Sequence, residues 1–116
     1  MIKLTVPVPP SVNAAFGNRR GAGKGRYKTK AYKAWETDAI IALRGQTGVQ
    51  ITYPCRIDYT VPKNRRRDLD NHLKLLNDLL VNQGIIWDDR SQYVRHLSIA
   101  EGEDRTDVLI EIRELE

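Results

Sequence analysis

Two aspartates, Asp68 and Asp70, stand one residue apart in NRRRDLDNHLK, directly after Arg65, Arg66 and Arg67 and one helical turn before Lys74. A second acidic pair, Asp88-Asp89, closes the apolar run GIIW. Side chains two apart in an extended segment point to the same side, so Asp68 and Asp70 can converge on one point. Asp70 or Asn71 also falls where the N-cap of a following helix belongs. Lys74, four residues beyond Asp70, can then face the space the carboxylates enclose. Carboxylates gathered in this way repel one another, and burying them without a counter-charge is costly. A hard divalent cation removes that cost, and an oxygen-only ligand set favours Mg²⁺, or Mn²⁺, over zinc. Aspartate-held metal beside lysine suits phosphodiester cleavage, with Lys74 stabilising charge that develops on the phosphate. A carboxylate site alone repels a polyanion, so Arg65, Arg66 and Arg67 would hold its backbone in place.

Taken singly, each acid has a plainer reading. Asp70 can cap a helix, Asp68 can pair with an arginine, and Asp88-Asp89 can make a turn. The spacing lacks the glycine and closing glutamate of a calcium-binding loop. Neither His72 nor His96 has a partner at metal-ligand spacing, so both read as structural or surface residues. No acid-x-Lys pair of the kind used by restriction-enzyme folds occurs.

The elements that must position these residues follow from hydrophobic periodicity. IKLTVPV alternates and reads as a strand stopped by Pro9-Pro10. SVNAAFGNRRGAGKGRYKTK has no period and reads as a long loop, mobile and basic over about residues 17–30, of a length that is usually functional. Helical spacing of Tyr32, Trp35, Ala39 and Leu43 predicts a helix capped by Thr29 and stopped at Gly45. PCRIDYTVP is a second strand. A second helix runs from about Asn71 to Gln83, ended by Gly84. QYVRHLSIAEG and TDVLIEIREL read as two strands joined in a hairpin. The order β-α-β-α-β-β predicts one α+β domain, a mixed sheet with two helices packed on it. The first strand–helix–strand unit is long enough for a right-handed crossover. Trp35 and Trp87 belong to the core. Phe16, at the start of the basic loop, packs against the domain or stacks on an opened base.

The chain has 116 residues, enough for one domain, and 41% apolar content, enough for a core. It has no apolar stretch long enough to cross a membrane and no signal-peptide pattern. Cys55 is the only cysteine, which excludes an internal disulfide and points to a reducing cytoplasm. The net charge of +4 is unevenly spread. Arg19, Arg20, Lys24, Arg26, Lys28, Lys30 and Lys33 follow one another without an acid, whereas the last sixteen residues hold seven acids. Such clustering makes one face electropositive and suits a polyanion better than a small acidic metabolite.

PPSVN after the first strand, RRRDLDN followed by Lys74, and GIIWDDRSQ after the second helix are together similar to the RusA family of Holliday junction resolvases, in order and in spacing. The resemblance covers essentially the whole chain. It implies a homodimeric, Mg²⁺-dependent endonuclease that places paired nicks in four-way junction DNA during recombination and repair, often carried by prophages. It also implies that Asp68, Asp70 and Asp89 hold the metal and that Lys74 is catalytic, favouring Asp89 over Asp88 where the residues alone left the choice open. A two-fold dimer would present one site to each of two equivalent strands. The basic loop, including Arg19, Arg20, Lys24, Arg26, Lys28 and Lys30, would then clamp DNA, and Pro9, Pro10, Ser11 and Asn13 would shape the chain beside the site. The rival reading is a non-catalytic basic nucleic-acid-binding module whose acids are caps and ion-pair partners.

Overall fold

The strand beginning at Cys55 shows how the sheet buries its core. In β4 (Cys55–Pro62), Cys55, Ile57, Tyr59 and Val61 are buried while the residues between them are half-buried, a period of two that turns one face inward. β6 (Val108–Glu114) buries Val108, Ile110 and Ile112, and β1 (Ile2–Val6) buries Leu4 and Val6. The register aligns these positions: Leu4 lies opposite Ile110, which lies opposite Tyr59, and Ile112 sits between Ile2 and Ile57. The computed structural model describes residues 1–18, 25–46, 51, 53–64, 67–86, 88, 90 and 92–115.

Two longer helices cover the apolar face. α2 (Lys30–Arg44) starts at Thr29, whose side chain accepts from the Tyr32 N–H, and gives Tyr32, Trp35, Ala39 and Leu43 to the core. Trp35 Nε1 donates to Pro7 O at 2.8 Å, which satisfies its polar edge. α3 (Leu73–Asn82) buries Leu75, Leu76, Leu79 and Leu80, worth about 1.5–3 kcal/mol each in area removed from water. Tyr59 OH donates to Asn77 Oδ1 at 2.6 Å and ties the sheet to α3. Gly84, at φ +70°, takes the left-handed position past the helix end, and the Ile85 N–H returns to Leu80 O at 2.9 Å. No helix among the described residues is long and apolar enough to cross a membrane.

The predicted mixed sheet with helices on it is present, as is the single predicted α+β unit, but the pairing of its last two strands differs from expectation. The sheet order is β1-β6-β4-β5. β5 (Val94–Gly102) pairs parallel with β4, and β6 pairs antiparallel with β4 on its other side. The two therefore form no hairpin: β4 lies between them. Alternation reveals which face of a strand is buried and says nothing about its neighbour. Stepping over one strand needs about 10 Å, within reach of the five residues 103–107. The adjacent parallel pair is β4–β5 across α3, whereas β1 and β4 share a direction but are separated by β6.

The stretch read as irregular also contains regular structure. α1 (Val12–Ala15) is one turn capped by Ser11, whose Oγ accepts from Ala14 N at 3.1 Å. β2 (Phe16–Asn18) pairs antiparallel with β3 (Arg26–Lys28) as a separate ribbon. Elements of three or four residues are too short for a hydrophobic period to register. The rest of the predicted mobile loop, at 19–24, lies outside the described residues, as does Trp87.

Candidate active site

β4 ends at Pro62, and the chain then passes Lys63, Asn64 and Arg67 into a 3₁₀ turn (Leu69–His72) that leads directly into α3. Asp68 is extended (φ −68°, ψ 146°) and stands just before this turn, and Asp70 lies inside it. The segment is therefore not extended through residue 70, and alternation is not what orients the two acids. Nor does Asp70 or Asn71 cap α3: the residue at that position is His72, which makes no side-chain cap bond. The tighter turn consumes the backbone donors itself, with Asn71 N donating to Asp68 O at 3.1 Å and Leu73 N to Asp70 O. Asp68 and Asp70 are thus released from capping. Both are exposed, and neither side chain makes a hydrogen bond or ion pair among the described residues.

The turn is held from the N-terminal arm. Asn71 Oδ1 accepts from Val12 N at 2.9 Å, and Arg67 Nη1 donates to Pro9 O at 2.8 Å. PPSVN and RRRDLDN, distant in sequence, are therefore adjacent in space, and the arm does shape the chain beside the two acids. Arg67 Nη1 also lies 3.4 Å from His72 Nδ1. His72 is only 2% exposed, and burial, then the Arg67 charge, pulls its pKa down. That arrangement suits a neutral imidazole whose Nδ1 faces the guanidinium. The structural reading of His72 holds, and His96 is exposed on β5. Arg67, expected to grip a polyanion, has these two contacts inside the protein. Arg65 and Arg66 lie outside the described residues.

Lys74 projects from the first turn of α3, with its side chain 52% exposed. Its Nζ is 3.4 Å from Asp78 Oδ2, one turn further on, and 5.8 Å from the centroid of the Phe16 ring. Lys74 makes no ion pair with Asp68 or Asp70. Arg26, on the second ribbon strand, places its guanidinium carbon 4.5 Å from the same ring, and Lys28 lies 4.8 Å from the ring of Tyr32 while donating to Glu36 at 3.1 and 3.2 Å. Phe16 packs edge-on against Tyr32, centroids 5.2 Å apart. Burial first, then the Glu36 and Asp78 charges, raise the Tyr32 pKa to about 12, so its hydroxyl stays protonated. Lys30 is exposed at the start of α2.

Asp88 is held by its neighbour: Arg90 Nε pairs with Oδ2 at 2.7 Å and Arg90 N donates to Oδ1 at 3.3 Å. These contacts match the turn role. Asp89, the favoured third ligand, lies outside the described residues, as do Arg19, Arg20 and Lys24. Among the described residues no three acids, histidines or cysteines gather at metal-binding distance.

The sequence model of Endodeoxyribonuclease RusA matches residues 6–113, from the end of β1 to the end of β6 and through every element of the site. The chain belongs to the RusA family. The crossover junction endodeoxyribonuclease RusA of Aquifex aeolicus (strain VF5) is 34% identical over 93% of this chain and 85% of its own length. That of Shigella sonnei (strain Ss046) is 34% identical over 78% of this chain and 75% of its own, and that of Enterobacteria phage 82 is 33% identical over the same shares.

Within this RusA-family chain, sequence reasoning missed Asp78 and the contact between Phe16 and Lys74. Asp78 was legible, since a carboxylate four residues after Lys74 lies on the same helical face. Phe16 was noticed, but nothing in a linear pattern places it beside a lysine on α3. The link from Asn71 to Val12 is likewise tertiary only.

Proposed function

We propose that this RusA-family nuclease acts on four-way junction DNA as a homodimer, nicking the two equivalent strands in a Mg²⁺-dependent reaction that serves recombination and repair. The observation that carries the reading is a pair of exposed carboxylates, Asp68 and Asp70, held at the turn that leads into α3 and Lys74 and, among the described residues, free of cap bonds and ion pairs. In a merely structural role, such acids would cap a helix or pair with an arginine. The names of its relatives supply the substrate class.

The donor set fits a hard cation. Asp68 and Asp70 offer oxygen ligands with no competing side-chain hydrogen bond among the described residues, and Asp89 would add a third. Bound there, Mg²⁺ supplies Lewis acidity toward the phosphodiester and a more acidic water. The chain's own residues do the rest. Arg67 and Asn71, anchored to Pro9 and Val12, hold the turn so that the carboxylates keep one geometry. Lys74 donates to a phosphate oxygen as negative charge grows there. Arg26, Lys28 and Lys30, with Arg19, Arg20 and Lys24 from the preceding stretch of sequence and Arg65 and Arg66 from the run ahead of Asp68, neutralise backbone phosphates that the carboxylates would otherwise repel. A two-fold dimer presents one such set to each strand.

Incubation of an end-labelled four-way junction with the protein and Mg²⁺, resolved on a denaturing gel, tests the proposal. Symmetric nicks are expected from the wild type, and none from Asp70→Asn, which should still shift the junction in a native gel. Salt-sensitive binding without nicking in any divalent ion would leave only a basic binding module.

A further inference from the structure

Phe16 is where charges from two elements meet on a ring fixed by a third. It stands at 85° to Tyr32 of α2, and Tyr32 is buried to 2% exposure, so the ring is held by packing. Arg26 of β3 lies 4.5 Å from its centroid and Lys74 of α3 lies 5.8 Å from it. A cation within about 6 Å of an aromatic face is drawn to the negative ring quadrupole. The other contact of Lys74, Asp78, is an exposed carboxylate at 3.4 Å, a pair that water and salt weaken readily. A lysine has a long flexible stem, and an ammonium on such a stem is placed only by what it rests against. Two cations also repel each other, and sharing one ring offsets that repulsion.

We propose that Phe16 is a positioning residue for Lys74: its ring holds the ammonium on the ribbon side of α3 and sets the spacing between Lys74 and Arg26, so that one phosphodiester can be gripped by the ribbon and met by the lysine together. This rests on the reading above, in which Lys74 stabilises charge on the phosphate. Holding the side chain beforehand removes freedom that would otherwise be lost in the transition state, so the effect falls on the nicking step more than on junction binding.

The test uses full-length protein labelled at lysine. The ε-methylene protons of Lys74, assigned by their absence in Lys74→Ala, are expected to be shielded by the ring current. That shielding should vanish in Phe16→Leu and persist in Phe16→Tyr. Single-turnover nicking of a junction should fall about two- to fivefold in Phe16→Leu with junction affinity unchanged, and Phe16→Tyr should restore it. Phe16→Met, also without a ring, carries the same expectation should the leucine variant fail to fold. Unshielded Lys74 protons in the wild type would overturn the inference. So would wild-type nicking by both ringless variants while Lys74→Ala is inactive, a result that leaves the proposed function standing. Wild-type nicking by Lys74→Ala would remove the role of Lys74 itself, and this inference with it.

Discussion

Asn71 does in this chain what a cap would do in another: its side-chain oxygen satisfies a backbone N–H, but that of Val12, on a different segment. The 3₁₀ turn makes this possible by supplying its own backbone acceptors, which leaves Asn71 and both aspartates without local duties. Asn71→Ala should lower unfolding stability by about 1 kcal/mol, read from chemical denaturation. Its nicking rate should fall further than that loss explains, because the arm and the turn are no longer registered. An unchanged rate would mean that the arm does not hold the site. At this scale the acidic and basic residues were legible as a constellation, since their types and spacing carry the chemistry. Their contacts were not: nothing in the sequence shows that Arg67, read as a polyanion grip, reaches Pro9 O, 58 residues away.

At the scale of elements, the parallel pair β4–β5 is stapled on the sheet face away from the inward-facing core positions. Asp58 on β4 accepts from Arg56 Nε at 2.8 Å and, across the ladder, from the Ser98 hydroxyl of β5, its register partner. The hydrogen bond from Arg56 is the chief cause that lowers the Asp58 pKa below the usual 3.8, with burial opposing it and Ser98 assisting. A lowered folded pKa means that the unfolded chain binds the proton more readily. The stabilisation is therefore present above about pH 3.8 and lost as pH falls through the folded value. Asp58→Asn should be less stable than wild type at neutral pH, and the gap should close on acidification below pH 4, followed by thermal melts across that range. A gap independent of pH would show that charge is not the source. Helices α2 and α3 and their stops were legible because ten or more residues carry a period of 3.6. The ribbon was not, because three residues carry none.

For the whole molecule, Arg26 of the ribbon and Lys74 of α3 meet at the Phe16 ring, Lys28 lies at the ring of Tyr32 beside it, and Lys30 is exposed at the start of α2. Binding to a polyanion through such a face releases counterions, with a slope of log K against log salt of about −0.9 per phosphate neutralised on B-form DNA. Replacing Arg26, Lys28 and Lys30 together by alanine should make the slope for junction binding shallower by up to about three. Fluorescence anisotropy over a salt series measures it, and an unaltered slope would place the DNA elsewhere.

Residue order alone determined where acidic and basic side chains cluster, which runs form helices, and that one mixed sheet would carry them. These are properties of short stretches: charge, period and stop signals act within a few residues. Tertiary structure alone decided that β4 separates β5 from β6, that the N-terminal arm braces the acidic turn, and that Phe16 lies under Lys74. Each joins segments far apart along the chain, where closing the loop costs entropy that only the assembled core repays, so no local pattern records it.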